Sequence, residues 1–452
     1  MSIIKTKVGR RSFLKSSALA GGGIVLGFTW LASCQNATEE ELLAMPEEWF
    51  EMNSYLKIGD NGVVTIYAPN PEFGQNVRTS MPMLIAEELD LDWKKVIVEQ
   101  APYHPKDYGF QFTGGSRGIM SRWEPLRMVG ATAKHMLKKA AAEAWSVDIN
   151  EITTELGVLH HEASGQTARY GAMASAASAM DVPEEVPLKE VKDFKIIGKS
   201  HKNIDGKDIV SGKPMFGLDY HADGMKIAMI EHPPAFGMTL KSMNAEEIKS
   251  MAGIIDVVSL STYKDDFVKH SFDTNAFPEL VAIVGNSTWE VMQAKKQLKI
   301  EWQNIESSEE QFNGFRGDLQ TRKIPAGLES SENHNAQMQA LASQPGKVVR
   351  KDGNPEKAFQ NAAKIIERSY AAPFLAHNCM EPMNAFAHVK GDKVKIAAPI
   401  QIPRFIVPTV ASSLGIPEEN VSMDITRMGG GFGRRAYGHY IVEAALISKA
   451  VN

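Results

Sequence analysis

A run of glycines followed by two arginines, MGGGFGRR at residues 428–435, is the part of the sequence best suited to hold a ligand. Glycine allows positive φ and lets a backbone approach a ligand closely. The run stands before a predicted helix, and the free N–H groups of a helix start favour an anion such as a phosphate. Arg434 and Arg435 add positive charge. The loop is therefore a candidate phosphate site. A tight turn that needs glycine only for packing is the alternative.

Part of this run also fits the dinucleotide-binding pattern G-x-G-x-x-A, with Gly431, Gly433 and Ala436 at the fixed positions. A dinucleotide-binding fold also needs a second strand that ends in Asp or Glu about 20 residues further on. The sequence ends at Asn452, before such a strand forms. A nucleotide-dependent dehydrogenase is therefore the weakest of the functional hypotheses.

Histidines and carboxylates elsewhere could hold a metal. His377 and Glu381 have suitable residue types, since both kinds of side chain are zinc ligands in proteins. We expect instead an internal histidine with its hydrogen bonds satisfied and a carboxylate that accepts backbone N–H groups. His160 and His161 are expected at a loop or strand end, without a functional role.

Composition excludes several functions. The chain has 49 Lys and Arg against 54 Asp and Glu, and without residues 1–33 it has 44 against 54. This acidic balance disfavours a nucleic-acid partner. Its two cysteines, Cys34 and Cys379, cannot form a disulfide framework or hold an iron–sulfur cluster by themselves.

The first 34 residues are typical of an export signal. Arg10-Arg11-Ser12-Phe13-Leu14 indicates the twin-arginine route, and Leu31-Ala32-Ser33-Cys34 resembles a lipobox in which Cys34 is lipidated. A chance cysteine at the end of an ordinary signal is the alternative. The apolar part is shorter than the roughly 20 residues of a membrane span. We therefore expect a folded, lipid-anchored protein on the periplasmic or cell-surface side, and a cofactor loaded before export.

The candidate residues must be positioned by strands and helices, and the sequence predicts both in a mixed α/β (α+β) fold. The expected strands are 62–69, 94–102, 281–284, 299–302, 394–399 and 420–426. The expected helices are 79–93, 124–145, 289–298, 405–414 and a last one from Tyr437. Gly130 interrupts the second helix and is expected to cost about 1 kcal/mol relative to Ala.

Changes in composition suggest the domain organisation. Residues 181–195 are rich in proline and charge and predict a boundary, and residues 303–354 are polar with little periodicity. The expected divisions are a signal (1–33), a tether (34–52), a first domain part (53–195), a small α/β domain (196–305), a polar linker (306–354) and a last domain part (355–452).

Three stretches together with the glycine loop carry a family resemblance: PNPEFGQNVRTSMPMLIAEELDLDW (69–93), FLAHNCMEPMNAFAHV (374–389) and APIQIPRFIVPTVASSLGIPEENVSM (398–423). They resemble the molybdenum-binding subunit of the xanthine dehydrogenase and aldehyde oxidase family. The early position of Glu72-Phe73-Gly74-Gln75 is similar to the permuted order of the isoquinoline 1-oxidoreductase β-subunit group. The implied fold is a permuted molybdopterin-binding domain with an inserted hammerhead-like α/β domain at 196–305.

The resemblance implies a cofactor and the residues that hold it. The cofactor would be molybdopterin, in its cytosine dinucleotide form, with molybdenum and without a protein side chain as metal ligand. Gln401 would sit beside the molybdenum and hydrogen-bond an oxo ligand, and Phe432 would face cofactor and substrate. The other implied contacts are Gln75, Thr113, Gly114, Gly115, Ser116, Gly431, Gly433 and Arg434.

The implied function is that of a molybdenum hydroxylase large subunit, which oxidises an N-heterocycle or an aldehyde with water-derived oxygen. Its electrons would pass to a small subunit with a 2Fe–2S centre and from there to an acceptor such as a cytochrome. No residue matches the family's catalytic glutamate, so we expect a fragment, a split protein or an inactive product. A catalytically inactive surface lipoprotein or binding-only relative is the alternative.

Some positions depart from the family pattern. Asn76 replaces a glycine and Phe73 a methionine, and asparagine tolerates the positive φ of that turn better than most residues. Cys379 stands where the family often has a small residue. In the last helix, the side chains that are expected to lack a partner surface are Ile441, Val442, Ala445 and Ile447.

Overall fold

The computed structural model describes residues 8–9, 45–235, 237–262, 269–270, 277, 279–314, 317–324, 326 and 330–451. None of the helices in these ranges is long and apolar enough to cross a membrane. The helices are α1 (Val77–Glu88), α2 (Pro105–Tyr108), α3 (Gly118–Trp145), α4 (Tyr170–Ala177), α5 (Gly206–Val210), α6 (Ala245–Lys249), α7 (Thr288–Gln297), α8 (Ser331–Ala342), α9 (Pro355–Asn361), α10 (Pro403–Leu414) and α11 (His439–Ala450).

Strands and helices alternate along the chain without separating into an all-α and an all-β part, which confirms the mixed fold class. The strands are β1 (Val8–Gly9), β2 (Glu48–Asn53), β3 (Leu56–Gly59), β4 (Val64–Ala68), β5 (Val96–Gln100), β6 (Ile152–Glu155), β7 (Val158–His161), β8 (Gln166–Arg169), β9 (Ile227–Glu231), β10 (Met238–Met243), β11 (Ile254–Ser261), β12 (Lys269–His270), β13 (Glu279–Gly285), β14 (Ile300–Asn304), β15 (Ser308–Asn313), β16 (Leu319–Ile324), β17 (Phe386–Lys390), β18 (Lys393–Ala398) and β19 (Val421–Ile425).

The first part of the chain is a five-stranded sheet, in the order β1-β2-β3-β4-β5, with α1 and α3 packed together beside it. β4 and β5 run parallel, with Val64 opposite Val96, because α1 forms the crossover between them. Leu56, Ile66 and Ile85 are fully buried in the shared core. The two predicted strands and two predicted helices of this region are confirmed.

The end of the predicted tether is part of this sheet. Glu48–Asn53 forms strand β2, and Trp49, Phe50 and Met52 are buried. The tether prediction for residues 34–52 is therefore wrong over its last residues. The acidic residues that precede this short strand made the segment look like a tether, although its apolar side chains are part of the core.

The middle of the chain holds a smaller α/β unit. A sheet of order β11-β13-β9 and a separate β10-β14 pair surround α7, in antiparallel pairings. The hydroxyl of Ser287 accepts the backbone N–H of Glu290 and caps α7. The predicted strand–helix–strand order over residues 281–302 is confirmed.

The region expected to be a polar linker begins with regular structure. β15 and β16 form an antiparallel hairpin, with β12 parallel to β15, and α8 follows. The prediction of a polar linker over 306–354 did not include these elements. The side chains of β16 and α8 are almost all exposed, so the sequence carries no hydrophobic alternation that would reveal them.

A long stretch after this hairpin has no packed core. All residues from 330 to 378 are exposed. Several large apolar side chains stand among them, including Val349 at 90%, Tyr370 at 92% and Phe374 at 90% exposed.

The last part of the chain forms a three-stranded sheet, in the order β17-β18-β19, with α10 as the crossover between the parallel strands β18 and β19. The final helix begins at His439 because residues 434–436 form a 3₁₀ turn. Its apolar side chains are buried against α10, the last sheet and β13, so the expectation of a missing partner surface is wrong. The exposed fractions are Ile441 0%, Val442 2%, Ala445 1% and Ile447 5%.

A largely buried network of four charges joins these parts. Arg78, in the first turn of α1, pairs with Asp205, and Arg427 after β19 also pairs with Asp205 at 2.7 Å. Arg427 lies 3.7 Å from Glu72 as well. The network connects the loop and first turn of α1 that follow β4, the segment before α5 and the residues that precede the glycine loop.

The close packing of α1 on α3 generates a prediction for Gly130. A Cβ at Gly130 would lie 2.4 Å from the carbonyl oxygen of Ile85. Gly130→Ala is therefore expected to lower the free energy of unfolding by about 1–3 kcal/mol, as overpacked core substitutions do, instead of raising it through helix propensity. Chemical denaturation measures the change. Gly118→Ala in the same helix is the matched control, because its nearest neighbour would be 3.5 Å away. Equal stability of the Gly130 variant and wild type would contradict the steric argument.

Candidate functional site

The centre of the candidate site is the buried side-chain amide of Gln401, between β18 and α10, with 3% of the residue exposed. Its Nε2 donates to the carbonyl oxygen of Thr113 at 2.9 Å, and its Oε1 accepts the backbone N–H of Gly433 at 3.1 Å. Its backbone N–H donates to Arg435, and its backbone carbonyl accepts from Thr113. Gln401 therefore links the loop that contains Thr113 to the glycine loop.

The glycine loop needs its glycines for close contact and for backbone conformation. A Cβ at Gly431 would lie 2.8 Å from Oε1 of Gln401, so a side chain there would displace the amide. Gly430, Phe432 and Gly433 have positive φ angles of 98°, 51° and 80°. These angles turn the loop back on itself, and they hold Phe432 outward with 61% of its surface exposed. The loop thus combines a fixed backbone with an exposed aromatic side chain.

The second loop, Thr113-Gly114-Gly115-Ser116, leads into the start of α3. Gly115 and Ser116 have φ angles of 55° and 57°. The N-cap residue Arg117 makes no side-chain hydrogen bond to the helix, so the first N–H groups of the 28-residue helix α3 remain available to a ligand. A long helix presents partial positive charge at this end, which favours an anion.

The third predicted loop lies beside the other two. Pro71 accepts the hydroxyl of Thr113 at 2.7 Å through its carbonyl oxygen, and the carbonyl oxygen of Glu72 accepts the N–H of Met428 at 2.9 Å. The side chain of Gln75 is exposed and folds back onto its own loop, where it bonds Pro71 and Phe73. The structure therefore brings Gln75 near the site but directs its amide to the loop backbone.

The turn of this third loop has the conformation expected from its sequence. Asn76 has φ 67° and ψ 24°, which confirms that asparagine adopts the left-handed turn in place of glycine. The carboxylate of Glu72 accepts the N–H groups of Gly74, Asn76 and Arg78, and so caps the start of α1. Glu72 is a structural carboxylate whose oxygens are already occupied.

Arg434 contacts a partly buried histidine. Its guanidinium donates to Nε2 of His439 at 3.1 Å. Because Arg434 is always protonated, Nε2 of His439 accepts and the ring proton resides on Nδ1. Burial lowers the pKa of His439 from 6.5 to about 4; Glu443 opposes this shift, whereas Arg434 and His232 add to it. The Nδ1 atom is buried without a hydrogen-bond partner among the described residues.

Arg435 and Glu381 are functional candidates whose pairing with each other the sequence did not reveal. Arg435 was expected to add positive charge to the loop, but it is fully buried and pairs with Glu381 at 3.1 Å. Glu381 accepts backbone N–H groups from Leu218 and Gly429, which confirms the expected capped carboxylate. His377 was expected to be internal, but it is exposed and its Nδ1 lies 2.6 Å from the carbonyl oxygen of Phe432.

The hydrogen-bond donors at the site suit an organic ligand with anionic groups. Among the residues that the structure describes, no cluster of three or more His, Cys, Asp and Glu could hold a metal ion. The donors that converge are backbone N–H groups, a helix start and one amide. His160 and His161 end strand β7, as expected. Cys34 and the twin-arginine pair lie outside the described residues.

The depressed pKa of His439 predicts a pH dependence of stability. Between pH 6.5 and about 4 the unfolded state binds a proton that the folded state does not. The free energy of unfolding therefore falls as the pH drops through this window, by at most about 1.4 kcal/mol per pH unit for one group. His439→Gln is expected to make this fall less steep, measured by denaturation at several pH values.

The exposed His221 supplies the matched control as His221→Gln. An unchanged slope in the His439 variant would show that this group does not titrate in the window.

Comparisons with known proteins identify the family. Two family models, both described as molybdopterin cofactor-binding domain, match residues 17–232 and 340–452, which together are more than half of the chain. The membrane-bound aldehyde dehydrogenase [pyrroloquinoline-quinone] of Gluconacetobacter polyoxogenes is 27% identical over 99% of this chain and 55% of its own length. Isoquinoline 1-oxidoreductase subunit beta of Brevundimonas diminuta is 26% identical over 98% of this chain and 58% of its own length.

Among solved structures, quinoline 2-oxidoreductase from Pseudomonas putida 86 matches with 17% identity and a TM-score of 0.39, over 55% of this chain and 32% of its own. The chain spans 55% and 58% of the two curated relatives above. Both halves of the site lie within the matched regions: Thr113–Ser116 in the first and Gln401 with the glycine loop in the second. The chain belongs to the molybdopterin-binding subunits of the xanthine dehydrogenase and aldehyde oxidase family.

Proposed function

We propose that this chain is part of the large subunit of a molybdenum hydroxylase that oxidises an aldehyde or an N-heterocycle with oxygen from water. The observation that supports this most is the amide of Gln401, buried where the Thr113–Ser116 loop and the glycine loop meet. The printed names of the two curated relatives, an aldehyde dehydrogenase and an isoquinoline oxidoreductase, suggest the two substrate classes.

The residues of the site fit molybdopterin. The bond to Thr113 uses one N–H of the Gln401 amide and leaves the second for an oxygen ligand of the cofactor. The Gly115–Ser116 turn and the start of α3 offer N–H groups to its phosphates. Gly431 has no side chain, and this leaves space beside the Gln401 amide that a Cβ would otherwise fill. This set of neutral donors suits phosphate and oxo groups.

In the proposed reaction the bound cofactor supplies the two-electron redox chemistry, and the protein supplies position and electrostatics. Gln401 orients the cofactor through its amide N–H without adding charge. Phe432, exposed beside the loop, offers a flat apolar face to a heteroaromatic or aldehyde substrate. The backbone N–H of Gly433 is already donated to Gln401, so this residue would act by fixing the amide, whereas Arg434 would add positive charge near the anionic part of the cofactor.

We also propose that the general base comes from polypeptide outside this sequence. Two carboxylates near the loops, Glu72 and Glu381, already accept backbone N–H groups and face arginines. The relatives are nearly twice as long as the matched region. Such a polypeptide could pack against the exposed apolar side chains of residues 348–375.

The electron acceptor in this proposal is a separate small subunit with a 2Fe–2S centre, followed by an acceptor such as a cytochrome. Two cysteines in the whole chain cannot ligate a cluster that needs four thiolates. The cytosine dinucleotide form of the cofactor is part of the same proposal and follows from the family resemblance.

A binding-only or inactive surface lipoprotein is the second candidate function. It is favoured by the occupied state of both carboxylates near the site, because neither Glu72 nor Glu381 is free to act as a base. The absence of molybdenum and pterin from the purified protein would distinguish this candidate from the hydroxylase. The quinone in the printed name of the aldehyde dehydrogenase relative defines a third outcome for the same measurement.

The decisive experiment measures metal and cofactor in the protein purified from its native membrane fraction. We expect about one molybdenum and one pterin per chain, by metal analysis and by fluorescence of the oxidised pterin. A purified protein that contains neither molybdenum nor pterin would overturn the hydroxylase proposal. If it contains pyrroloquinoline quinone instead, its chemistry is different.

Gln401→Ala in the loaded enzyme is expected to lower turnover by about 10²-fold or more, since one preorganised donor at a reacting centre contributes that much. Steady-state kinetics and circular dichroism together separate lost turnover from lost folding. Gln344→Ala, at an exposed position, is the control. Unchanged turnover in the Gln401 variant would remove this residue from the site.

For the cellular location, we propose export by the twin-arginine route and lipidation of Cys34. Cys34→Ala is expected to release the protein from membranes into the soluble extracellular-side fraction, because acyl chains and not a spanning helix hold it there. Fractionation and labelling with a radioactive fatty acid measure this. Lys substitution of both Arg10 and Arg11 is expected to retain the precursor in the cytoplasm. Membrane retention of the Cys34 variant would contradict the anchor.

A further inference from the structure

The guanidinium of Arg435 sits beneath the glycine loop and contacts it from inside. It has no exposed surface and is the largest fully buried side chain among the described residues. Its Nε donates to the carbonyl oxygen of Gly430 at 3.0 Å, and a terminal nitrogen donates to the backbone carbonyl of Glu381 at 2.7 Å and to its carboxylate at 3.1 Å. A fork of planar donors can reach these acceptors together, and a lysine cannot.

Glu381 holds the other end of the same loop. Its carboxylate accepts the N–H of Gly429 at 2.8 Å, and its own N–H donates to the carbonyl oxygen of Gly429 at 3.2 Å. A Cβ at Gly429 would lie 2.5 Å from Cβ of Glu381, so the loop backbone rests directly on this residue. The N–H of Leu218 and the amide of Asn384 occupy its second oxygen.

The pair also reaches Gln401. The backbone carbonyl of Arg435 accepts the N–H of Gln401 at 3.0 Å, while the N–H of Gly433 donates to the Gln401 side chain. A shift of Arg435 therefore moves both the loop and the amide that faces the cofactor site.

We propose that Arg435 and Glu381 are positioning residues, which fix the glycine loop and Gln401 in the arrangement that receives the cofactor. The part that concerns the cofactor rests on the function proposed above, whereas the part that concerns the loop rests on these contacts alone. Neither side chain touches the ligand, because both lie beneath the backbone of the loop.

A comparable buried pair elsewhere in the chain separates positioning from general stability. Arg127 is 7% exposed and bonds Glu88 at 2.8 Å. It also donates to the backbone carbonyl of Lys189 and lies against the rings of Trp123 and Phe194, and among the described residues it makes no hydrogen bond or ion pair to the three loops of the site. Arg127→Lys is therefore expected to destabilise the fold to a similar degree without disturbing the glycine loop.

Hydrogen–deuterium exchange of the purified holoprotein, followed in peptides that cover residues 428–435, tests the proposal. Arg435→Lys and Glu381→Gln are each expected to speed exchange in this loop at least tenfold, and Arg127→Lys less than twofold. Molybdenum and pterin retained after gel filtration are expected to fall at least fivefold in the first two variants and to stay unchanged in the third.

The outcomes are distinguishable. Loop exchange within twofold of wild type in both Arg435→Lys and Glu381→Gln, or equal loosening of the loop by Arg127→Lys, would overturn the positioning role. Absence of molybdenum and pterin from the wild-type protein would overturn the proposed function, while the exchange rates still decide whether the pair positions the loop. Should Arg435→Lys fail to fold, Glu381→Gln, which keeps the shape of its side chain, supplies the result.

Discussion

Four paired charges, the partly buried Arg78 and the buried side chains of Glu72, Asp205 and Arg427, hold the parts of this chain in one arrangement. The side chains of Glu72, Asp205 and Arg427 are 1%, 8% and 8% exposed, so each charge has lost most of its hydration. Such charges are tolerable only when they are paired and hydrogen-bonded, and removal of one partner leaves another uncompensated. Because the partners come from the loop and first turn of α1 that follow β4, the segment before α5 and the residues after β19, the network is complete only when all three are docked.

The candidate site depends on that network through the backbone. Glu72 belongs to the network and caps α1, while its carbonyl oxygen accepts the N–H of Met428. Arg427 directly precedes the glycine loop. The loops therefore extend from a fixed point, and their inner faces are held by Gln401, Arg435 and Glu381. This leaves outward N–H groups and the exposed Phe432 for ligands, so the site is built from rigid backbone with few side chains.

Local patterns in the sequence predicted the elements with strong periodicity. The strand–helix–strand of residues 281–302 and the long helix α3 were confirmed because their apolar spacing reports directly on burial. Strand β16 and helix α8 were not predicted because their side chains are almost all exposed, so they show no hydrophobic alternation. Strand β2 was not predicted because it follows an acidic stretch and because its burial depends on a sheet formed by later residues.

The candidate site shows the same division between local and long-range information. The left-handed turn at Asn76 and the capped carboxylate of Glu381 follow from residue type and were predicted. The burial of Arg435 could not be predicted, because two adjacent arginines after a glycine run carry no sign of which one turns inward. The true role of Gly130 was equally hidden, since the carbonyl of Ile85 that excludes a Cβ lies on another helix.

The distance along the chain between the halves of the site explains when a ligand can enter it. Gln401 and Thr113, whose bond closes the centre of the site, are 288 positions apart. Bringing such distant segments together costs chain entropy that only the assembled core and the charge network offset. A cofactor that contacts both loops can bind only after both parts have folded and docked. Because binding to the folded state alone stabilises that state, a bound cofactor would in turn hold the two halves together. This order of events agrees with the proposed export of a folded, loaded protein, in which assembly precedes passage across the membrane.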